Sequence, residues 1–264
     1  MRKYLEVAKI YMKAQLAWRS DVLFNMILTI TKMLFAYLLW GIMFQGKSMI
    51  GEFTFHGMLS YYIMSSFLSQ LEMSGRVSYE IQDRIRNGTF SKYMIIPIGI
   101  EKYFLSMQAG IVMFYFSFQL IASMVWIFIL DIQFTFTGNM MSFLCAVMMA
   151  ILGIIFMVQL NYLLGILTLK YQGISTFLMI KDNLMELVTG SIIPLALFPE
   201  AIVKFMRLLP FYYVTYLPSM IFTGKCEEEA VLGVGIILSW CIVIQFVISV
   251  IWKKYIRKYD GVGI

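Results

Sequence analysis

Two long stretches of this chain carry almost no charge, and they limit what it can fold into. Between Lys102 and Lys170 the only charged residue is Asp131. Residues 103–130 and 139–168 are each longer than the roughly 20 apolar residues that cross the hydrocarbon core of a bilayer. In lipid, backbone polar groups are satisfied only within helices or closed barrels, and these runs are too long and too evenly apolar for barrel strands. They therefore predict membrane-spanning helices.

The composition of the whole chain leads to the same interpretation. Of its 264 residues, 61% are hydrophobic and 14% charged, and the mean hydropathy is +0.80. A soluble domain averages about 45–50% apolar and about 25% charged residues, so a soluble fold of this length would expose large apolar patches. The three cysteines have no paired spacing, which indicates neither a disulfide framework nor a metal site. We expect one all-α integral membrane domain over residues 1–264.

The length criterion gives six candidate spans and a preceding amphipathic segment. In residues 1–20, apolar positions at helical spacing alternate with Lys and Arg, which is typical of a helix lying at the membrane interface; the alternative is that these are only the flanking charges of the first span. The six predicted spans are 21–45, 55–74, 103–130, 139–168, 174–197 and 230–252.

The distribution of Lys and Arg predicts the orientation of these spans. Basic residues are concentrated before the first span, after the second, after the fourth and in the C-terminal tail, whereas the opposite loops hold few. By the positive-inside rule, the chain is a multi-pass protein of the plasma membrane with both termini in the cytoplasm. The net charge of +6 then reflects topology and attraction to anionic membrane lipids, and we expect no nucleic-acid partner.

A short charged stretch, YEIQDRIRNGTFSKYMIIPI, lies between the second and third spans on the cytoplasmic side. Ile81 and Ile85 are four residues apart, as are Glu80 and Arg84, so one helix face is apolar and the other carries an ion pair. The Asn-Gly pair that follows predicts a left-handed C-cap. We interpret residues 79–90 as a helix offered to a groove on a partner protein; a solvated loop that only keeps positive charge inside is the alternative. The docking residues are Glu80, Ile81, Arg84, Ile85 and Gly88.

Four of the five prolines fall within residues 194–223, just before the last span. Proline interrupts helices, so this apolar stretch is expected to form short re-entrant or interfacial helices on the outer side, buried against protein. An apolar loop that rests on lipid headgroups is the alternative.

Taken in order, these features resemble the type-2 permeases of ATP-binding-cassette (ABC) exporters. In that family a cytoplasmic helix between spans two and three, with a pattern like EI..GTL..YL...P, inserts into the ATPase subunit and transmits its motion. This chain has YEIQDRIRNGTFSKYMIIPI at that place. The interfacial helix, the six spans and the proline-broken stretch match as well, so the resemblance covers nearly the whole chain. It implies a complex of two permeases, identical or homologous, with two cytoplasmic ATPase subunits.

The resemblance also implies a function. The chain would be the permease subunit that moves an amphiphilic or hydrophobic substrate, such as a lipid, a peptide or a drug-like molecule, out of the cytoplasm. ATP would be bound and hydrolysed by the partner, so this chain would have no catalytic site and no cofactor. Similar exporters have a hydrophobic outer gate, which here would pack against the second permease. The gate residues are Phe205, Leu209, Phe211 and Tyr212.

Charged residues inside spans are costly and usually face the interior of the bundle. Lys32 lies in the first span, and Asp182 and Glu186 share one face of the fifth, which makes these three the candidates for a substrate pathway. If the fifth span instead begins near Leu184, Asp182 lies at the cytoplasmic surface.

Other functional classes are weaker matches. GIMFQGKS fits the phosphate-loop pattern but ends a span on the outer side without a preceding strand, so we treat it as a coincidence. A secondary transporter or channel would be favoured by inverted repeats, and none is apparent between residues 1–130 and 131–264. A membrane-embedded lipid-modifying enzyme would need clustered acidic residues and histidines, and His56 is the only histidine.

Overall fold

A computed structural model of the chain describes residues 2–17, 19–171, 174–188 and 194–259. These ranges are about 80% helical and contain no strand, which confirms the predicted all-α fold. Short 3-10 turns cover Leu167–Leu169, Leu195–Leu197, Pro210–Tyr213, Glu227–Glu229 and Ile256–Lys258. The α-helices are α1 Arg2–Ala17, α2 Arg19–Met43, α3 Phe55–Leu71, α4 Gly75–Arg86, α5 Ser91–Ile95, α6 Ile100–Ile129, α7 Met140–Ile166, α8 Ser175–Val188, α9 Glu200–Met206, α10 Tyr216–Phe222 and α11 Ala230–Tyr255.

Three helical segments of the described chain are long and apolar enough to cross a membrane: Ile100–Ile129, Met140–Leu169 and Glu227–Tyr255. They coincide with the third, fourth and sixth predicted spans. The apolar part of α2, Ile27–Met43, is shorter, and α3 has 17 residues. Six crossings therefore stay a prediction.

The predicted fifth span, 174–197, is only partly helical in the described residues. Helix α8 has 14 residues, which at about 1.5 Å per residue is shorter than a hydrocarbon core of about 30 Å. Residues 189–193 lie outside the described residues. The span's last three residues form the separate 3-10 turn Leu195–Leu197.

Helix α7 lies at the centre of the bundle. Near its start, the ring of Phe143 packs 5.6 Å from that of Phe222, which ends α10. Near its end, Gly165 faces α4. Helix α11 runs beside α7 in the same direction, because Gly233 near the start of α11 faces Met149 in the first half of α7, and the rings of Trp252 and Tyr162 lie 6.2 Å apart near the ends of both helices. The bundle thus has an α4 end and an α10 end.

The N-terminal helix packs at the α4 end. Tyr11 and Tyr103 share a hydrogen bond of 2.7 Å between their hydroxyls, which joins α1 to the first turn of α6. Ala8 is buried against Gly110 of the same helix. Leu5 and Ile10 stay exposed. This arrangement fits an amphipathic helix with one face on the protein, while its position at a membrane surface stays a prediction.

The proline-rich stretch, 194–223, consists of short helices at the α10 end. Pro194 and Pro199 each precede a helix, Pro210 begins the third, and Pro218 lies in the first turn of α10. Proline is tolerated there because the first N–H groups of a helix have no intrahelical acceptor. The prolines therefore set where each short helix starts.

Candidate docking helix and interior cavity

Helix α4 turns its apolar face into this chain. Val77, Ile81 and Ile85 are completely buried, and a Cβ added to Gly165 of α7 would lie 2.8 Å from the Cβ of Ile81. Ile81 and Ile85 therefore pack within this chain, and docking of a partner through them stays a prediction. The physical reason for this packing is the short connection to α3, which lays α4 back along α7 at a point where glycine permits close approach.

The outward face of α4 is polar. Arg76, Asp83 and Arg86 are exposed, and Tyr79 is 44% exposed. Any partner that approaches this helix from outside the bundle meets these charged side chains. Such a surface is typical of electrostatic recognition rather than of insertion of an apolar ridge.

The predicted ion pair joins α4 to the segment that follows it. Arg84 Nη2 lies 3.2 Å from Glu80 Oε1, the Tyr93 hydroxyl donates a hydrogen bond to the same carboxylate, and the Arg84 guanidinium lies 5.1 Å above the Tyr93 ring. Burial and the Glu80 carboxylate raise the pKa of Tyr93, so the phenol stays protonated and donates. The predicted pair is confirmed, and it fixes α4 to α5.

Gly88 ends α4 as the sequence predicts. Its φ is 65°, its N–H bonds to the Ile85 carbonyl at 3.1 Å, and the Thr89 N–H bonds to the Arg84 carbonyl at 2.8 Å. These two bonds form a Schellman motif, which requires the left-handed conformation that glycine adopts without a Cβ penalty. The motif turns Phe90 into the core, where its ring packs 6.2 Å from that of Trp252 in α11.

A cavity of about 480 Å³ opens between α2, α3, α4, α7 and α8. Two predicted pathway residues, Lys32 and Asp182, line it. Glu186 is the third predicted pathway residue, and its side chain is not among those that the structure describes. The cavity is also lined by Glu72, Arg76 and Tyr79, which the sequence analysis did not predict as pathway residues. The only sequence feature close to them is the end of the second predicted span.

A chain of hydrogen bonds runs along the cavity wall toward α4. Lys181 Nζ lies 2.6 Å from Asp182 Oδ1 and donates to Asn161 Oδ1 at 2.8 Å. The Tyr79 hydroxyl donates to Asp182 Oδ2 at 3.1 Å. Burial and the Asp182 charge raise the pKa of Tyr79, so this donor stays protonated.

The same network continues to α3. Asn161, which is completely buried, donates to Ser74 Oγ at 2.8 Å, and the Ser74 N–H donates to Glu72 Oε1 at 3.1 Å. The charged and polar side chains of this network thereby bond to one another and link the end of α3 and the start of α4 to α7 and α8. Movement of α4 relative to α8 would disturb these bonds.

The predicted gate residues divide into buried and exposed sets. Tyr212 is 1% exposed and lies with its ring 5.1 Å from that of Tyr216. Phe211 is partly buried, with its ring 6.2 Å from that of Phe156 in α7. Both therefore pack within this chain, and their role in a seal against a second permease stays a prediction. Leu209 is partly buried, whereas Phe205 is 59% exposed.

A model of the ABC-2 family transporter proteins matches residues 30–263. The chain belongs to this family. The matched range includes α4, the cavity helices α3, α7 and α8, and the proline-rich stretch, whereas α1 lies outside it. A comparison with individually curated proteins gives no match.

Membership in the ABC-2 family identifies this chain as a transporter permease, and that family is the membrane component of ABC transporters rather than a family of catalytic enzymes. ABC-2 permeases normally work with ATPase subunits. Two features of the described chain are relevant to this role. One is the polar face of α4, and the other is the cavity that α4 borders.

Proposed function

We propose that this ABC-2 permease exports an amphiphilic or hydrophobic substrate, using ATP hydrolysed by a separate subunit. The observation that carries the proposal is the connection from α4 to the cavity through Tyr79 and Asp182. Tyr79 lies on the same exposed face of α4 as Asp83 and Arg86, so this face can contact an ATPase and also border the cavity, which couples the two sites if they share one two-state element.

The ATPase docks on the outward face of α4 in this proposal, with Asp83 and Arg86 as the exposed contacts. Glu80 and Arg84 hold the helix in place, and Ile81 and Ile85 anchor it to α7. Because α4 is packed on α7 and joined to α11 through Phe90, displacement of α4 moves the bundle as a rigid unit. Closure of two ATPase subunits around ATP would then switch access to the cavity.

The orientation follows from the position of charge at each end. Lys and Arg are abundant in α1, in α4 and in the 3-10 turn Ile256–Lys258. Helix α1 packs at the same end of the bundle as α4. We place this end in the cytoplasm of the plasma membrane, with both termini there. The α10 end then faces outward, and no ATP or other cofactor binds in this chain.

A second permease, identical or homologous, completes the route. Two of the helices that line the cavity, α2 and α8, also present exposed apolar surface, at Phe35, Leu38 and Phe177. One bundle with three long crossing helices does not enclose a pathway by itself, so a partner would close the open side. Phe205, a predicted gate residue, and its neighbour Leu208 are exposed at the α10 end and are the apolar side chains available to it.

Charge reversal on α4 tests the docking. We expect Asp83→Lys combined with Arg86→Glu to abolish recovery of the ATPase with an affinity-tagged permease from its native host, because both contacts become repulsive. Lys47→Glu, at the opposite end, is the matched control and should retain the ATPase. Equal recovery from both variants at equal permease levels would contradict the docking surface.

A further inference from the structure

Some ionisable side chains in the cavity wall have hydrogen-bond or ion-pair partners within this chain, and others have no ion-pair partner among the described side chains. Lys181 is held by Asp182 and Asn161, Asp182 also accepts from Tyr79, and Glu72 accepts from Ser74. The carboxylates are thus already engaged by donors from this chain.

Lys32 and Arg76 differ from the other charged groups. Both line the cavity, both are exposed, and neither forms an ion pair with any residue whose side chain the structure describes. Lys32 lies within a predicted span, where a cation is expensive unless it meets an anion or water, and Arg76 adds a second positive charge from α4. The cavity therefore offers positive charge that its own described wall does not neutralise.

The wall also has an apolar, adaptable part beside the polar Ser69, Gln70 and Thr215. Met73, Met157, Met185 and Val214 face the same space. Methionine side chains are flexible and fill irregular shapes, which suits an alkyl chain rather than a rigid ring system. A volume of about 480 Å³ falls within the roughly 300–1,000 Å³ of small-molecule sites.

We propose that this cavity binds an amphiphile with an anionic headgroup, whose acidic group lies between Lys32 and Arg76 and whose alkyl chain packs on the methionines. This inference rests on the proposed function, since it assigns the chemical class of the exported substrate. Phosphate and carboxylate heads both satisfy the two cations. A guanidinium and an ammonium together bind such a group with charge-assisted hydrogen bonds.

Photolabelling of the purified permease in a neutral maltoside detergent tests the proposal. The probes are alkyl chains with a terminal diazirine and one of three heads: phosphate, carboxylate or trimethylammonium. The two anionic probes should label peptides of α7 and α8 around Met157 and Met185, and the cationic probe should not. Labelling that an excess of inorganic phosphate does not displace shows that the site takes an amphiphile rather than a free anion.

Neutral variants identify the charges responsible. Lys32→Gln and Arg76→Gln should each weaken labelling by the anionic probes about tenfold, the effect of losing one charge-assisted contact. Lys32→Arg should retain labelling, which separates loss of charge from misfolding. Lys92→Gln, at an exposed position on α5 that does not line the cavity, is the matched control and should label as the unchanged protein does.

Two results would overturn the proposal. Equal or stronger labelling by the trimethylammonium probe would mean that the carboxylates define the site. Anionic labelling that survives Lys32→Gln and Arg76→Gln together would mean that these cations do not hold the ligand. The assay contains no ATPase, so failure of α4 docking leaves its outcome unaffected, and failure of this site leaves the docking test unaffected.

Discussion

Replacing Gly165 by alanine should push α4 away from α7. The new Cβ would lie 2.8 Å from Ile81 Cβ, 3.0 Å from its Cγ2 and 3.1 Å from its Cδ1. Non-bonded carbon atoms settle at about 3.5–4.0 Å, so the two helices have to separate by up to about 1 Å or the buried isoleucine has to repack. Overpacking of this kind costs about 1–3 kcal/mol. Because α4 carries the proposed docking face, coupling should weaken as well.

The measurements are the thermal unfolding midpoint of the purified permease and the substrate-stimulated ATPase rate of the assembled complex. Gly235→Ala in α11 is the matched control, because nothing lies within 4 Å of its added Cβ. Alanine is favoured over glycine in a helix by about 0.5–1 kcal/mol. That gain applies to both variants, so the difference between them isolates the contact with Ile81. We expect a lower midpoint and a lower stimulated rate only for Gly165→Ala.

A double variant distinguishes this contact from general disruption of α7. Ile81→Ala removes two of the three atoms nearest to the new Cβ, so Gly165→Ala should cost less in the Ile81→Ala background than alone. Contacting residues show such non-additivity, whereas independent sites do not. Equal midpoints for Gly165→Ala and Gly235→Ala, or strict additivity in the double variant, would refute the inferred packing of α4.

Three further predictions concern other parts of the molecule. Tyr79→Phe removes the 3.1 Å hydrogen bond to Asp182, which is worth about 1 kcal/mol at this partly exposed position. Substrate stimulation of the ATPase should fall severalfold, while recovery of the ATPase with the permease is unchanged. Unchanged stimulation would exclude this link. Burial raises the pKa of the Cys226 thiol to about 11. The rate of alkylation at Cys226 should therefore rise about tenfold per pH unit from pH 7 to near 11, and this labelling should be absent in C226S. A plateau of the rate near pH 8.5 would show a thiol with an ordinary pKa. Tyr212→Ala should destabilise the permease by about 3–5 kcal/mol because the ring is buried. Phe205→Ala should leave the melting midpoint unchanged but raise basal ATPase activity. A lower midpoint for Phe205→Ala and an unchanged one for Tyr212→Ala would contradict the described burial of these two residues.

The sequence determines most of the local structure. The uncharged runs locate α6, α7 and α11, because only a helix satisfies the backbone over such a length in lipid. The Asn-Gly pair sets the end of α4, and the four-residue spacing of Glu80 and Arg84 yields the observed ion pair. Each of these features depends on residues within one or two turns of each other.

The direction in which an amphipathic helix faces is not local information. The apolar positions Ile81 and Ile85 show that α4 buries one face, but the sequence does not say whether the covering surface belongs to this chain or to another. Gly165, some 80 residues further along the chain, decides it by admitting Ile81 at close range. The same limit explains Tyr212, whose covering residues come partly from α10.

The cavity network is likewise invisible in the sequence. Lys32 and Asp182 stand out as charges within predicted spans. Their neighbours Glu72 and Asn161 become recognisable only when α3, α7 and α8 are placed side by side. Pairing across such separations depends on helix packing rather than on spacing.

The central claim, that an ATPase docks on the outward face of α4, is tested most directly by site-specific cross-linking in native membranes. A photoreactive benzoylphenylalanine placed at Asp83 should capture the ATPase subunit on irradiation, identified by mass spectrometry of the cross-linked product. The same residue placed at Lys47, on the opposite side in the proposed orientation, should capture none. An intact complex that gives no ATPase cross-link from position 83, or gives one from position 47, would contradict the account.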